Sequence, residues 1–169
     1  MQLINIDKTL YRKRLNIVIA SFIVTLTILA LAFAQLFILN FAQEGVSNFK
    51  YNLLGVFLAL LACAAILHSI KEHEFFKEIY YVWRLKQLQN KIFRKLVNIQ
   101  RSAKEGKESA LIILLFYYQS LKLVYLLDDN TLTIAKVEKD LNEVNKTINS
   151  KNIVLSVEQF DKSLLASYA

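Results

Sequence analysis

The sequence contains no proline, three glycines and one cysteine among its 169 residues. All-β and βαβ folds need many turns built from proline and glycine, so this shortage argues against both classes. Cys63 has no second cysteine with which to form a disulfide, and cysteine-rich zinc sites are excluded. Hydrophobic residues make up 55% of the chain, which excludes intrinsic disorder and is high for a soluble domain. We therefore predict an all-α protein.

Two long uncharged runs indicate a membrane protein. Residues 15–43 carry no charged side chain over 29 positions, and a helix of that length measures about 43 Å. Residues 51–70 form a second run of 20 residues, which matches the roughly 30 Å hydrocarbon core of a bilayer. Only a short loop, residues 43–50, separates the runs. The sequence thus predicts a transmembrane helical hairpin with spans at about 15–42 and 51–70.

The distribution of charge orients this hairpin. The net charge of the chain is +7, of which residues 1–14 carry +3 and residues 71–104 carry +6, whereas the hairpin loop is neutral. Positive charge beside both spans predicts a multi-pass membrane protein with both termini in the cytoplasm. The expected organisation is a basic N-terminus at 1–14, the hairpin at 15–70 and a cytoplasmic antiparallel helical bundle at 71–169. Because the excess positive charge lies beside the spans and sets their orientation, nucleic acid is not an expected partner.

The lengths of the apolar runs bear on two other interpretations, a cleaved signal peptide and a third span. Residues 32–34 (Ala-Phe-Ala) resemble a signal-peptide cleavage site, but the apolar run continues through Phe41 and favours an uncleaved anchor. Residues 109–121 form a third uncharged run of 13 residues, which is more typical of a buried core helix than of a span. A third span stays open, and it would place the C-terminus outside.

The predicted bundle contains three longer helices. No glycine or proline occurs between Gly55 and Gly106, so the second span could continue as one helix to about residue 105. Gly106 suits the left-handed residue that ends a helix. Residues 110–127 then form the central apolar helix, and residues 128–131 supply a turn and a cap. The flanking helices carry apolar stripes at Leu85, Leu88, Ile92, Leu96 and Ile99, and at the coiled-coil spacing of Ile134, Val137, Leu141, Val144 and Ile148.

A last helix is expected near the C-terminus. Ser156 and Gln159 have the spacing of a capping box. The apolar side chains of this predicted helix are Val157, Phe160, Leu164 and Leu165.

Few residues have the chemistry of a catalytic or metal site. His68, Glu72 and His73 are the only cluster of ligand-type side chains, and a metal would need further ligands. Asp128 and Asp129 suit a helix cap better than an acid–base pair. Catalytic serine, phosphate-loop and cysteine–histidine motifs are absent. We therefore expect no enzyme, no metal and no cofactor, with a lipid enzyme at residues 68–74 as the alternative.

Two sets of residues are predicted to make contacts. No acid interrupts the basic run between Ile79 and Lys104, which can bind anionic lipid or a partner, or can form a solvated face that meets acids of the coiled-coil-type helix. The basic candidates are Arg84, Lys91, Arg94, Lys95 and Arg101. Small residues at four-residue spacing are expected to bring the two spans into close contact, namely Ala30, Ala34, Gly55 and Ala59.

Three blocks carry a resemblance to a known family. They are residues 80–88 (YYVWRLKQL), 116–119 (FYYQ) and 127–132 (LDDNTL). These blocks resemble an uncharacterised bacterial family of short two-span inner-membrane proteins, a domain of unknown function, over nearly the whole chain. The resemblance implies an inner-membrane location and a cytoplasmic helical tail, and it implies no activity and no functional residue.

The sequence as a whole predicts a non-enzymatic membrane anchor or scaffold. Its partners would be the lipid bilayer and, through the cytoplasmic helices, either a protein partner or further copies of the chain. The alternative is a subunit of a small oligomeric channel or transporter, with Ser21, Thr25 and Gln35 of the first span facing a pore.

Overall fold

A computed structural model describes residues 2–168, which form helices and contain no β-strand. The all-α prediction is therefore confirmed for the described part of the chain. The α-helices are α1 (Lys8–Phe41), α2 (Phe49–Ile70), α3 (Lys77–Phe93), α4 (Leu96–Lys104), α5 (Glu108–Leu127) and α6 (Thr131–Ser150). Short 3₁₀ helices lie at Glu74–Phe76, Val157–Gln159 and Lys162–Ser167.

The chain divides into two compact units. The hairpin unit comprises residues 12–80, and the bundle unit comprises residues 2–11 together with residues 81–168. The sequence predicts residues 1–14 as a separate basic segment, whereas the structure groups residues 2–11 with the bundle.

The hairpin unit is built from α1 and α2. Polar side chains within these helices hydrogen-bond to their own backbone, as Thr27 Oγ1 does to the Ile23 carbonyl (2.9 Å) and Asn40 Nδ2 to the Leu36 carbonyl (2.7 Å). Such bonds satisfy a polar group without a partner from another helix. The chain reverses at residues 42–48, where Gly45 has a positive φ of 76° that suits glycine.

The two helices of the hairpin unit come closest at Gly55. A Cβ atom added there would lie 2.6 Å from the Ala34 backbone nitrogen and 2.8 Å from the Ala30 carbonyl oxygen. Ala34 and Ala59 are buried in the same contact region. Only glycine allows this approach, because backbone atoms cannot move aside as a flexible side chain can.

Three helices, α1, α2 and α5, are long and apolar enough to cross a membrane, which suggests membrane association. They differ in how much of their apolar surface the protein itself covers. Of the residues in the most apolar stretch of each helix, 6% are buried in α1 and 17% in α2, but 61% in α5. The first two helices therefore leave their side chains uncovered, as Leu31 and Leu39 illustrate at 68% and 76% exposure.

The continuous helix that the sequence permits from residue 51 to 105 is interrupted twice. α2 ends at Ile70, and the His73 ring accepts a hydrogen bond from the Phe75 backbone N–H (3.2 Å) at the start of a 3₁₀ helix. This bond gives the backbone an alternative to the helical hydrogen bond. A second break separates α3 from α4 at residues 94–95.

The core of the bundle unit forms around α5. Ala110, Phe116 and Ser120 of this helix are fully buried, so the prediction of a core helix agrees with its packing in the bundle unit. Leu85, Leu88, Ile92 and Ile99 of the predicted stripe are also buried.

The turns on either side of α5 follow local chemistry. Gly106 has a φ of 89°, its N–H bonds the Ala103 carbonyl and the Lys107 N–H bonds the Ser102 carbonyl, which is the predicted glycine-terminated helix end. At the other end Asp129 has a positive φ of 56°. Asn130 precedes α6 without a side-chain capping bond, and Asp128 and Asp129 form ion pairs instead, so the predicted turn is present but the predicted helix cap is not.

α6 packs along α5 in the opposite direction. Lys122 of α5 pairs with Glu138 of α6, on either side of the short connection at residues 128–130. Val137, Val144 and Ile148 are buried, whereas Ile134 and Leu141 are only half-buried. The predicted stripe of α6 thus packs within the bundle unit.

The predicted C-terminal helix is wrong in type. The capping box of Ser156 and Gln159 is present, but it begins a 3₁₀ helix of three residues. Phe160 is extended, and Asp161 caps a second 3₁₀ helix through the Ser163 N–H. The Phe160 ring stacks on Phe116 of α5 at a centroid distance of 3.9 Å. Two separate caps and this long-range stacking replace one continuous helix.

Gly55→Val is expected to destabilise the hairpin unit by about 1–3 kcal/mol, because the new side chain must separate two backbones. Thermal unfolding of the full chain in mild detergent, followed by circular dichroism, measures the change. Ala64→Val is the matched control, because Ala64 lies on the exposed side of α2. Equal melting temperatures for the two variants would contradict the close packing at Gly55.

Phe160→Ala is expected to lower the free energy of unfolding of the bundle by about 3–5 kcal/mol, the usual cost of removing a buried phenylalanine ring. Denaturant titration of the full chain in mild detergent gives this value. Phe93→Ala removes a ring that is 63% exposed and should change stability little. A comparable loss in both variants would show that the stacked ring has no special role.

Candidate functional site

Four predicted cations are exposed on α3, on α4 and at the break between them. Leu85, Ile92 and Ile99 of the predicted stripe are fully buried, which turns the other side of both helices outward. We call this exposed set the basic face; its members are Arg84, Lys91, Arg94 and Arg101.

Lys95 does not belong with the other predicted cations. Its side chain is half-buried, and its Nζ donates a hydrogen bond to the Leu165 carbonyl oxygen at 3.1 Å. This bond ties α4 to the C-terminal 3₁₀ helix. Lys95 therefore has a structural partner, whereas the basic face points outward.

The acids of the bundle unit pair with other lysines. Asp128 accepts from Lys86 at 2.7 Å, and Asp129 pairs with Lys8 of the N-terminal segment. These acids lie at the turn before α6, and Glu138 of α6 pairs with Lys122 of α5. Within residues 2–168 no acid forms an ion pair with Lys91, Arg94 or Arg101.

Large apolar side chains are exposed among these cations. Trp83 is 54% exposed, Phe93 63% and Val97 70%, although each belongs to a helix that buries its opposite side. The exposed surface of α3 and α4 is therefore both basic and partly aromatic. A solvated helix face normally carries few such side chains.

The N-terminal segment docks on the bundle, which sequence reasoning missed. The Tyr81 hydroxyl donates to the Gln2 carbonyl at 2.8 Å and accepts from the Ile4 N–H at 3.2 Å. Ile6 and Tyr11 are buried. Burial raises the pKa of the Tyr81 phenol and outweighs the bond from Ile4, which lowers it. The alternation of polar residues with Ile4 and Ile6 was the only available signal.

Buried polar groups inside the bundle are paired. Gln89 Nε2 donates to Ser120 Oγ at 3.1 Å, and that hydroxyl donates to the Tyr117 carbonyl at 2.8 Å. Gln100 donates to the Tyr118 hydroxyl at 3.1 Å. These residues were also missed, although Gln89 lies beside the predicted stripe. Their satisfied bonds point to a structural role.

Two grooves open on the bundle unit. A polar groove of about 290 Å³ lies between α4, α5 and α6 and includes Lys104, Asp140 and Glu143. We call the second the N-terminal groove; it has a volume of about 490 Å³ and contains polar side chains such as Lys122. Its apolar lining consists of Leu3, Ile4, Leu123, Leu126 and Leu141.

The four predicted small residues meet in the hairpin unit. The backbones of Ala30 and Ala34 lie against Gly55, and Ala59 is fully buried. The structure thus brings Ala30, Ala34 and Gly55 into one contact between α1 and α2. That this contact lies within a membrane stays a prediction.

A groove of about 220 Å³ lies between α1 and α2 in the hairpin unit. Ser21, Thr25 and Cys63 contribute to its otherwise apolar lining. Gln35 is exposed on α1 and does not line the groove. The three side chains that the channel alternative requires therefore do not share one groove.

The histidine cluster does not have the geometry that its spacing predicts. α2 ends at Ile70, so Glu72 lies beyond the helix and does not share a helix face with His68. The Nζ atom of Lys71 lies 3.3 Å from the Nε2 atom of His68. His73 caps the following 3₁₀ helix. Within residues 2–168 no three histidine, cysteine or acidic side chains are grouped so as to hold a metal ion.

Comparison with known proteins gives one match. Residues 1–165 match the family described as "Protein of unknown function (DUF3087)". Neither the curated proteins nor the solved structures include a match to this chain. Because the match covers nearly the whole sequence, the chain belongs to the DUF3087 family.

Proposed function

We propose that this protein is a non-enzymatic anchor of the bacterial inner membrane, whose cytoplasmic helices bind a protein partner or a second copy of the chain. α1 and α2 form its two spans. The basic residues beside these spans favour a cytoplasmic location for both termini.

One observation carries the proposal, namely the different burial of the three apolar helices. Of the residues in the most apolar stretch of each helix, 61% are buried in α5, but only 6% in α1 and 17% in α2. Apolar surface of this extent is unfavourable in water and favourable in hydrocarbon. α1 and α2 therefore need lipid, whereas α5 already has its cover in the bundle unit.

The N-terminal groove supports the binding part of the proposal. Leu126 and Ile4 in this groove are 46% and 45% exposed. Apolar side chains in an open groove beside an ion pair, here Lys122 with Glu138, suit an amphipathic helix of a partner. The groove belongs to the bundle, so a docked protein would be held at the membrane by the hairpin.

Single cysteines in a Cys63→Ala background test the topology. We expect a membrane-impermeant maleimide to label Ser47→Cys in intact spheroplasts, and to label Lys107→Cys and Thr133→Cys only after the membrane is opened. Lys107 and Thr133 flank α5 and are exposed in the structure. Labelling of just one of these two from outside would show that α5 spans, and labelling of both would show the opposite orientation.

Leu126→Asp is expected to remove the bound companion, or to dissociate the oligomer, because a carboxylate would be desolvated in the groove. Mild-detergent extraction followed by mass photometry and mass spectrometry measures the composition of the particle. Leu132→Asp is the matched control, since Leu132 is 94% exposed and does not line the groove. A wild-type chain that is monomeric and without a companion would contradict this binding function.

A further inference from the structure

The basic face includes three cations whose charge no acid of the described residues compensates. Lys91, Arg94 and Arg101 form no ion pair within the described residues. The sequence has no acid between Glu78 and Glu105. Like charges on one surface repel each other, so a bound polyanion would be stabilised there.

The orientation of the spans does not account for these three cations. The positive-inside effect acts within about 15–20 residues of the end of a span. Lys91, Arg94 and Arg101 lie 21, 24 and 31 residues beyond Ile70, the last residue of α2. Lys71 and Lys77 lie inside that range, so they are close enough to the span to orient it.

The apolar side chains on the same helices indicate which polyanion fits. Trp83, Phe93 and Val97 are all more than half exposed. A bilayer interface takes up both kinds of group, because aromatic and aliphatic side chains enter at headgroup level while cations bind the phosphates. α3 begins seven residues after α2 ends, so anchored headgroups have an effective concentration that a dissolved polyanion lacks.

We infer that the exposed side of α3 and α4 binds the anionic headgroups of the membrane in which the protein is anchored. Arg84, Lys91, Arg94 and Arg101 contact the lipid phosphates, and Trp83 and Phe93 lie at headgroup level. The inference rests on the proposed anchoring by α1 and α2, and it adds a lipid class that the bundle recognises.

Trp83 is the only tryptophan of the chain, so its fluorescence reports on this surface alone. The full-length protein is reconstituted into vesicles of phosphatidylcholine with or without phosphatidylglycerol. We expect Trp83 emission to shift to shorter wavelength, and its quenching by iodide to decrease, only when phosphatidylglycerol is present. Both changes should be lost at 1 M salt, where the Debye length is about 3 Å.

Two triple variants separate the basic face from the overall charge. Lys91→Gln, Arg94→Gln and Arg101→Gln together should abolish the dependence on phosphatidylglycerol. Lys136→Gln, Lys139→Gln and Lys146→Gln remove the same charge from exposed positions of α6 and should preserve it. Equal emission in the two vesicle types, or equal behaviour of the two variants, would overturn the inference.

Soluble phosphate compounds distinguish the source of the phosphate. Glycerol phosphate or a single-stranded oligonucleotide is added to protein in neutral vesicles. No shift is expected with either, because the surface requires an apolar interface beside the phosphates. A shift with glycerol phosphate would replace the membrane by a free phosphate ligand, and a shift with the oligonucleotide alone would replace it by nucleic acid.

Carbonate extraction distinguishes a failure of this inference from a failure of the anchoring proposal. Resistance of the reconstituted protein to carbonate extraction tests insertion and does not depend on the basic face. A chain that carbonate extracts would contradict the anchor. A chain that resists extraction but shows no response of Trp83 would contradict only the headgroup contact.

Discussion

The burial of α5 is the constraint on which the rest of the chain depends. This helix of 20 residues is apolar on nearly every side, so it needs cover all round. α4, α6 and the two C-terminal 3₁₀ helices pack on it, Gln89 of α3 donates a hydrogen bond to its Ser120, and the ring of Phe160 stacks on Phe116 at 3.9 Å. Because the covering helices are amphipathic, their remaining sides carry the polar and charged groups of the protein. The bundle thus acquires a chemically varied surface as a consequence of enclosing one apolar helix.

The apolar helices of the hairpin unit are not enclosed by other helices in the way that α5 is. α1 and α2 meet where Gly55 allows backbone contact with Ala30 and Ala34, and this contact covers little of either helix. Close approach of small residues holds helices together by packing rather than by removal of apolar surface from water. Such a pair does not need to hide its outer side chains when the surroundings are hydrocarbon. The exposed leucines of α1 are therefore consistent with two helices that are held together by close backbone contact at Gly55.

Features set by neighbouring residues could be predicted, and features set by distant ones could not. The helix end at Gly106 and the capping box at Ser156 follow from local hydrogen bonds and backbone conformation, and both are present. The break after α2 was not predicted because no glycine or proline marks it. Instead, the His73 side chain accepts a hydrogen bond from the Phe75 backbone N–H just beyond the end of the helix. Tyr81 binds Ile4 across 77 residues of sequence. Lys95 likewise finds its carbonyl partner 70 residues away, so charge alone could not separate it from the basic face.

Exposed side chains are the part of this protein that packing does not explain. Leu85 and Ile92 are accounted for once α3 covers α5, since any apolar residue of similar size would serve. Nothing in the bundle requires cations at positions 91, 94 and 101, because these side chains are exposed and form no ion pair within residues 2–168. A large exposed ring forfeits the stabilisation that burial would give it. The proposed headgroup layer would offer this surface both an apolar boundary and negative charge.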